Sequence, residues 1–403
     1  MERMCEAVKD SEYFATQHFI SESPWEHQEV MDQTALNVSE RLQSTGKKVA
    51  LLIDESGHAK KGDKSVGVSR QYSGTLGKVD NCQVAVYCAL SADKYYSIVD
   101  AALFLPKEWT DNKKRCDKAG IPSKNQRHKS KLALALEMIK HQKQIGVAFD
   151  YVAGDGLYGN NYALMESLSE LGITAIFDVH EDQYIYTSAP NLFIPEDKNT
   201  KGRKPTRTKT DSKALTVKAF HSQLAASAFT EVTIRKGTKG TLKSKAVAKK
   251  IYTWDGHSTH YNERILLIRV TQTGDNSEQI KYSLTNAHQD ALTLEELVEM
   301  QAQRYFIERS FQESKQDIGL SDYQVRGWRA WHHHIALCIM AQGYILEEKL
   351  LCKDEMPLLS AFDVRQVIIN TYAKKNDTYE EVERQIKLRH QQRKVDMERR
   401  RNV

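Results

Sequence analysis

The chain has 403 residues, 40% of them hydrophobic and 28% charged, enough for a large core in one domain with insertions or in two to three domains. Seven prolines and 20 glycines are too few for a mainly disordered chain, no apolar run approaches the roughly 18 residues of a membrane span, and Met1-Glu2-Arg3-Met4 lacks the apolar stretch of a secretory signal. The net charge of +5 is uneven: residues 197–250 hold 15 Lys/Arg against 3 Asp/Glu and residues 384–403 hold 8 against 2, which points to a polyanion partner, or more plainly to a solvated loop and tail.

Ser23-Pro24 predicts a helix start, with the helix running to about Gln43 and ending near Gly46. Residues 47–54 form a short apolar run closing on Asp54 and read as a buried strand. Residues 83–90 and 95–105, joined by a turn at 91–93, complete a three-stranded meander. A helix follows over 130–144, stopped by Gly146, then a buried strand over 147–153 that ends at Gly154-Asp155-Gly156. Helix 162–171 and strand 174–179 extend the series into a mixed α/β sheet with helices packed on it. Residues 183–280 are rich in Lys, Thr and Ser, with strand-like pieces at 231–235, 247–254 and 263–271; they read as a β-rich insertion carrying a mobile basic loop at 197–213. Residues 280–284 are another short strand, and from Thr293 the pattern is helical almost to the end, with breaks at Gly319 and Gly327. The tail 384–401 is a basic helix on DNA or a disordered segment. Six cysteines lie far apart without a CxxC pair, which speaks against a disulfide framework or zinc knuckle and for a reducing cytoplasm.

Asp54 and Asp155 each end a buried apolar strand, and carboxylates at neighbouring strand ends can share a hard cation; capping a strand is the plain alternative for either. A third acid comes from helical phase. Over 293–317, Leu297, Met300, Ile307, Phe311 and Ile318 cluster on one face, with Glu308 at its edge. Arg304 precedes Glu308 by four residues and Lys315 follows it by seven, all within roughly 40° of one another. The bland reading of this trio is an i,i+4 pair plus a spare lysine. Glu299 and Glu313 fall on the opposite, solvated side. Three converging acids suit two Mg²⁺ ions and phosphoryl transfer.

Longer tracts carry a resemblance. Asp54-Glu55-Ser56-Gly57-His58-Ala59-Lys60-Lys61-Gly62, continuing through 65–77 to Asn81-Cys82-Gln83, resembles the first catalytic block of bacterial insertion-sequence transposases of the DDE class. Gly154-Asp155-Gly156-Leu157-Tyr158-Gly159 resembles the second block, and Arg304, Glu308 and Lys315 fit the last three letters of the Y-R-E-K signature. Gln301 stands where that signature has tyrosine, with Tyr305 a substitute only by guess. The tract from Ile318 to His333, with Trp328 and Trp331, is similar to the same family.

The resemblance implies an RNase H-like mixed sheet flanked by helices, interrupted by the β-rich insertion, with helical N- and C-terminal segments. It implies that Asp54, Asp155 and Glu308 form the metal-binding triad for two Mg²⁺ ions, with Mn²⁺ able to stand in. It implies cleavage at transposon ends and strand transfer into target DNA, a homodimer on DNA in the bacterial nucleoid, and further N-terminal helices for end recognition. The expected divisions are a helical region at 1–46, the first part of the catalytic domain at 47–182, the insertion at 183–280, the rest of the catalytic domain at 281–350 and a helical basic tail at 351–403. Arg304 and Lys315 are expected on phosphates of the transposon end; Lys60, Lys61 and Arg70 are candidate phosphate contacts or a solvated loop. Trp254 stacks on an unpaired base or packs in the core, and His332, His333 and His334 read as surface residues. Two other readings keep the DNA and change the activity: a transposase relative that binds without cutting, and a structure-selective nuclease on the same fold.

Overall fold

The computed structural model describes residues 8 and 11–401, apart from 75–76, 197–203, 238–239, 273–276, 289–290 and 374–377. Helix α1 (Tyr13–Ser21) leads to α2 (His27–Gln43), which buries Met31, Ala35, Val38 and Leu42 at helical spacing. α2 starts at His27, not at Pro24, and α1 had no sequence counterpart. The cause is Trp25, whose ring stacks 3.8 Å from the His333 ring and holds the segment between the two helices against a later helix. His333 completes that joint, with its two ring nitrogens each 2.9 Å from a carbonyl oxygen, those of Ile20 and Trp25. His332 and His333 are therefore buried, against the expectation of surface histidines.

The strands β1 (Ala50–Ala59), β2 (Ser69–Ser73), β3 (Lys78–Ala92) and β4 (Tyr95–Leu103) follow. β1 runs five residues past Asp54, so this carboxylate sits inside a strand and not at its end. Short helices α3 (Lys107–Thr110) and α4 (Lys113–Lys118) precede α5 (Lys131–Gln144), which Ser130 caps. Next come β5 (Tyr151–Gly154), the single turn α6 (Gly156–Gly159), α7 (Tyr162–Glu170) and β6 (Ala175–Val179).

β1 pairs antiparallel with β3 and parallel with β5; β3 pairs antiparallel with β4, and β5 parallel with β6. The order β4-β3-β1-β5-β6, three antiparallel strands followed by two parallel ones, is the mixed sheet of an RNase H-like fold. One face carries Leu52, Ala153 and Ile176 against the later helices; the other carries Leu51, Ile53 and Phe177 against α5 and α7.

Beyond β6, the two-residue strands β7 (Tyr184–Ile185), β8 (Leu192–Phe193), β9 (Lys209–Thr210) and β10 (Leu215–Thr216) and helix α8 (Val217–His221) lead into a meander. The loop expected at 197–213 lies partly outside the described residues, and its remainder includes β9, paired with β8. The meander is β11 (Thr230–Gly237), β12 (Gly240–Thr253), β13 (Asn262–Gln272) and β14 (Glu278–Thr285). β14 pairs with β6, so these strands and the catalytic sheet form one ten-stranded sheet.

The helical remainder is α9 (Leu294–Gln303), α10 (Tyr305–Glu313), α11 (Trp328–Leu351), α12 (Ala361–Ile368) and α13 (Tyr379–Arg401). The single helix expected over 293–317 is interrupted at Arg304 and ends in a π-helical turn, Ser314–Ile318, before Gly319 at φ 85°. Glu313, expected to be solvated, closes α10 before that turn and is largely covered because Lys349 of α11 (2.7 Å) and Tyr96 of β4 (3.2 Å) lie against it. Among the described residues no helix is long and apolar enough to cross a membrane, and Cys82, Cys88, Cys116, Cys338 and Cys352 are free thiols.

Candidate active site

Register brings the first two acids together. Ile53 faces Gly154 across the parallel β1–β5 pair, so Asp54 and Asp155 stand side by side, one strand spacing apart (about 4.8 Å). Gly154 in turn faces Phe177 across β5–β6, which adds Asp178 as the next carboxylate in the row. Asp54, Asp178 and the residues of α10 share the face that holds Leu52 and Ile307.

The second sequence block is glycine-rich because backbones pass so closely here. A Cβ at Gly154 would lie 3.2 Å from the Ile53 carbonyl oxygen, one at Gly156 2.7 Å from the His180 ring, and one at Gly159 1.9 Å from the Asp178 carbonyl oxygen. Gly159→Ala must therefore push β6, and Asp178 with it, away from α6. The expected cost is about 3 kcal/mol or more, read as a fall in denaturant midpoint; an unchanged midpoint would refute the close approach.

Arg304 lies among the carboxylates. Its Nε is 3.1 Å from Asp178 Oδ2, its Nη2 2.8 Å from Glu308 Oε1 and its Nη1 3.8 Å from Asp54 Oδ2. Burial works against the guanidinium charge, but Asp178, Glu308, Asp54 and Asp155 together outweigh it and raise its pKa. Burial and the neighbouring Asp155 push the Asp54 carboxyl up to about 8 despite Arg304. Burial, then the Glu55 carboxylate, likewise raises Asp155. Asp155 Oδ1 accepts from the Leu157 N–H (2.9 Å), and Glu55 is held by Lys131 (2.9 Å) and the Tyr158 hydroxyl (3.2 Å).

A short chain of side chains fixes Arg304. Ser283 Oγ donates to Asp178 Oδ1 (2.6 Å), and the amide of Gln301 donates to Ser283. Gln301, the residue replacing the signature tyrosine, is buried in this chain of contacts. Sequence reading missed Asp178 and Ser283. Asp178 had the same signal as Asp54, a carboxylate within an apolar strand, whereas Ser283 had none.

The other candidates spread out. Lys315 Nζ lies 3.5 Å from the Gly57 carbonyl oxygen, and burial lowers its pKa. Lys60 is about 20 Å along β1 from Asp54, its ammonium 3.5 Å from the centre of the Tyr323 ring; burial draws its pKa down to about 8. Lys61 and Arg70 are exposed, Lys61 beyond the end of β1 and Arg70 within β2. Trp254 sits half-buried on the β12–β13 connection, donating to the Ser258 carbonyl (2.9 Å). Strand direction puts that connection at the opposite edge of the sheet from Asp54 and Asp155, so Trp254 is not part of the acid site.

The donor set is oxygen only, which suits a hard cation. Among the described residues no three His, Cys, Asp or Glu side chains converge to ring one ion; the guanidinium of Arg304 stands among them instead. Asp54 and Asp155, side by side on neighbouring strands, have the chemistry that suits a hard cation, and Glu308 shares Arg304 with Asp54.

A family model described as DDE superfamily endonuclease matches residues 1–241, more than half of the chain, and the chain belongs to that family. The matched region contains Asp54, Asp155 and Asp178. A probable transposase for insertion sequence element IS701 from Microchaete diplosiphon is 29% identical over 174 residues, which cover 42% of this chain and 41% of that protein. A piggyBac transposase in a synaptic complex with hairpin DNA, solved by cryo-EM, aligns with a TM-score of 0.35 at 11% identity, covering 79% of this chain and 51% of that one. The chain thus spans about two fifths of the curated relative and half of the solved one.

Proposed function

We propose that the chain is a DNA transposase of an insertion sequence that cleaves at transposon ends and joins the freed strand to target DNA. The observation that carries this reading is the row Asp54, Asp155, Asp178 with Glu308 around one arginine, in a chain of the DDE endonuclease family. Asp54 and Asp155 would hold two Mg²⁺ ions, with Glu308 completing the shell of the second. Such ions, when bound, supply Lewis acidity at the phosphorus and lower the pKa of a coordinated water or 3′-hydroxyl.

The protein's own groups supply position and charge. Tyr158 and Lys131 hold Glu55 beside Asp155, and the cap to Leu157 N–H fixes the Asp155 rotamer. Were Glu308 to turn to a bound metal ion, Arg304 would be released from it to contact the scissile phosphate, and Lys315, on the π-helical turn after α10, would contact phosphates of the transposon end. The reading includes a homodimer on DNA in the bacterial nucleoid, because two ends must be cut together.

The test is nicking of a supercoiled plasmid that carries the terminal inverted repeats flanking the gene. The expected result is Mg²⁺-dependent nicks at the repeat ends. Cutting of branched DNA without repeats would establish the nuclease reading, and binding without cutting the reading as a DNA-holding relative.

A further inference from the structure

The sheet changes sign along the site face. Acids occupy β1, β5 and β6; the next strands carry cations. Arg269 on β13 and Lys281 on β14 are directly paired, and Lys281 is two residues from Ser283, the partner of Asp178. Alternation along β14 puts Lys281 on the same face as Ser283. Arg235, just past the bulge in β11, stacks its guanidinium 4.3 Å from the Tyr305 ring, next to Arg304 on α10.

These three cations lack counter-ions. Among the described residues no carboxylate oxygen lies within 4.0 Å of the charged nitrogens of Arg235, Arg269 or Lys281. Asp178 is the nearest acid in influence, but Arg304 and Ser283 already hold it. Arg269 is only 7% exposed, and its Nε has no hydrogen-bond partner. Burial lowers the pKa of both Arg269 and Lys281, and neighbouring cations lower each further. Lys281 also lines a cleft of about 310 Å³ with Asp178, Val179, Glu181, Ile280 and Tyr282; Arg235 and Arg269 are not among its lining residues. Arg269 is buried and Arg235 and Lys281 are half-buried, and Asp178 offsets their charge only in part, so the cluster costs stability unless an anion joins it.

We propose that Arg235, Arg269 and Lys281 form a phosphate-binding site, one to four strands from the acids, that holds a backbone phosphodiester of the nucleic acid strand entering the active site. The proposal rests on the transposase reading for the identity of the strand, but its chemistry needs no cutting. The two arginines offer planar forks to the phosphate oxygens and Lys281 a point charge. Tyr305 holds the Arg235 guanidinium by a cation–π contact.

The experiment uses the full chain in EDTA, with a short DNA duplex ending in the terminal repeat. Arg269→Gln and Lys281→Gln are each expected to weaken binding about tenfold or more and to flatten the log–log salt dependence by about 0.9 per phosphate lost. Arg269→Lys should keep the salt slope. In the free protein, Arg269→Met is expected to raise the melting temperature, whereas loss of a merely structural arginine would lower it. Inorganic pyrophosphate should stabilise the wild type and not Arg269→Gln. Unchanged affinity and slope in both Gln variants would overturn the proposal, as would a destabilised Arg269→Met with no pyrophosphate effect on the wild type. If Arg269→Gln does not fold, the half-exposed Arg235→Gln carries the same salt-slope test. Absence of nicking with these slopes intact would sink the transposase reading alone.

Discussion

Asp155→Asn in the full chain is expected to reduce Mg²⁺-dependent strand cleavage by about 10³-fold or more while leaving duplex binding within a few-fold. The residue stands at the end of β5 beside Asp54 within β1, where its charge is close enough, after burial, to raise the pKa of Asp54. Removing one oxygen anion from such a pair takes away several kcal/mol of the cation binding that the chemistry uses, and about 1.4 kcal/mol is a factor of ten in rate. Asp54→Asn and Glu308→Gln should follow the same pattern. Single-turnover cleavage of a labelled end duplex measures it; normal cleavage by Asp155→Asn would remove the carboxylate from the mechanism.

Arg304→Ala should have the largest effect on stability. The guanidinium contacts Asp178, Asp54 and the exposed Glu308, and its loss leaves the mostly covered Asp54 and Asp178 carboxylates facing one another. Breaking a buried ion network in this way typically costs about 3–5 kcal/mol. The loss should appear in chelator-treated protein as a lower urea midpoint and be partly recovered by millimolar Mn²⁺ or Mg²⁺. An arginine that only packs against the sheet would show no recovery by the cation.

The same crowding sets a pH trend. The folded pKa of Asp54, about 8, is above its ordinary 3.8, so the folded state holds a proton that the unfolded chain gives up between those values. The contribution of this group to stability is therefore full below about pH 4 and is lost as pH rises toward 8. Asp54→Asn should remove that part of the slope in urea titrations of chelator-treated protein. A slope identical to wild type would place the proton elsewhere.

Much of this site was legible before any coordinates. Buried strands announce themselves by apolar runs, so Asp54 and Asp155 were found from the sequence, and Glu308 followed from helical phase and its arginine four residues earlier. What escaped depends on pairing across the chain. Asp178 belongs to the site only because β6 lies beside β5, and Ser283 because β14 lies beside β6. Glu313 was misread because β4 and α11 pack over the side of the helix opposite its apolar stripe, bringing Tyr96 and Lys349, which no local residue pattern announces. The basic composition of the insertion was plain, but which lysines and arginines turn inward is decided by strand alternation in a sheet whose register the sequence does not display. Trp254 shows the converse: a chemically suitable aromatic on the correct segment, carried to the wrong end of its strand.

The pairing of β14 with β6 also determines what a protein engineer can detach. Excising 183–280 as a module would leave 281–285 paired with β6 but strip them of β13, turning that remnant into an unsealed edge of amides and carbonyls, a template for self-association. A trimmed catalytic half would be expected to precipitate, so a minimal working version of this chain has to retain the whole meander or supply another strand to seal that flank.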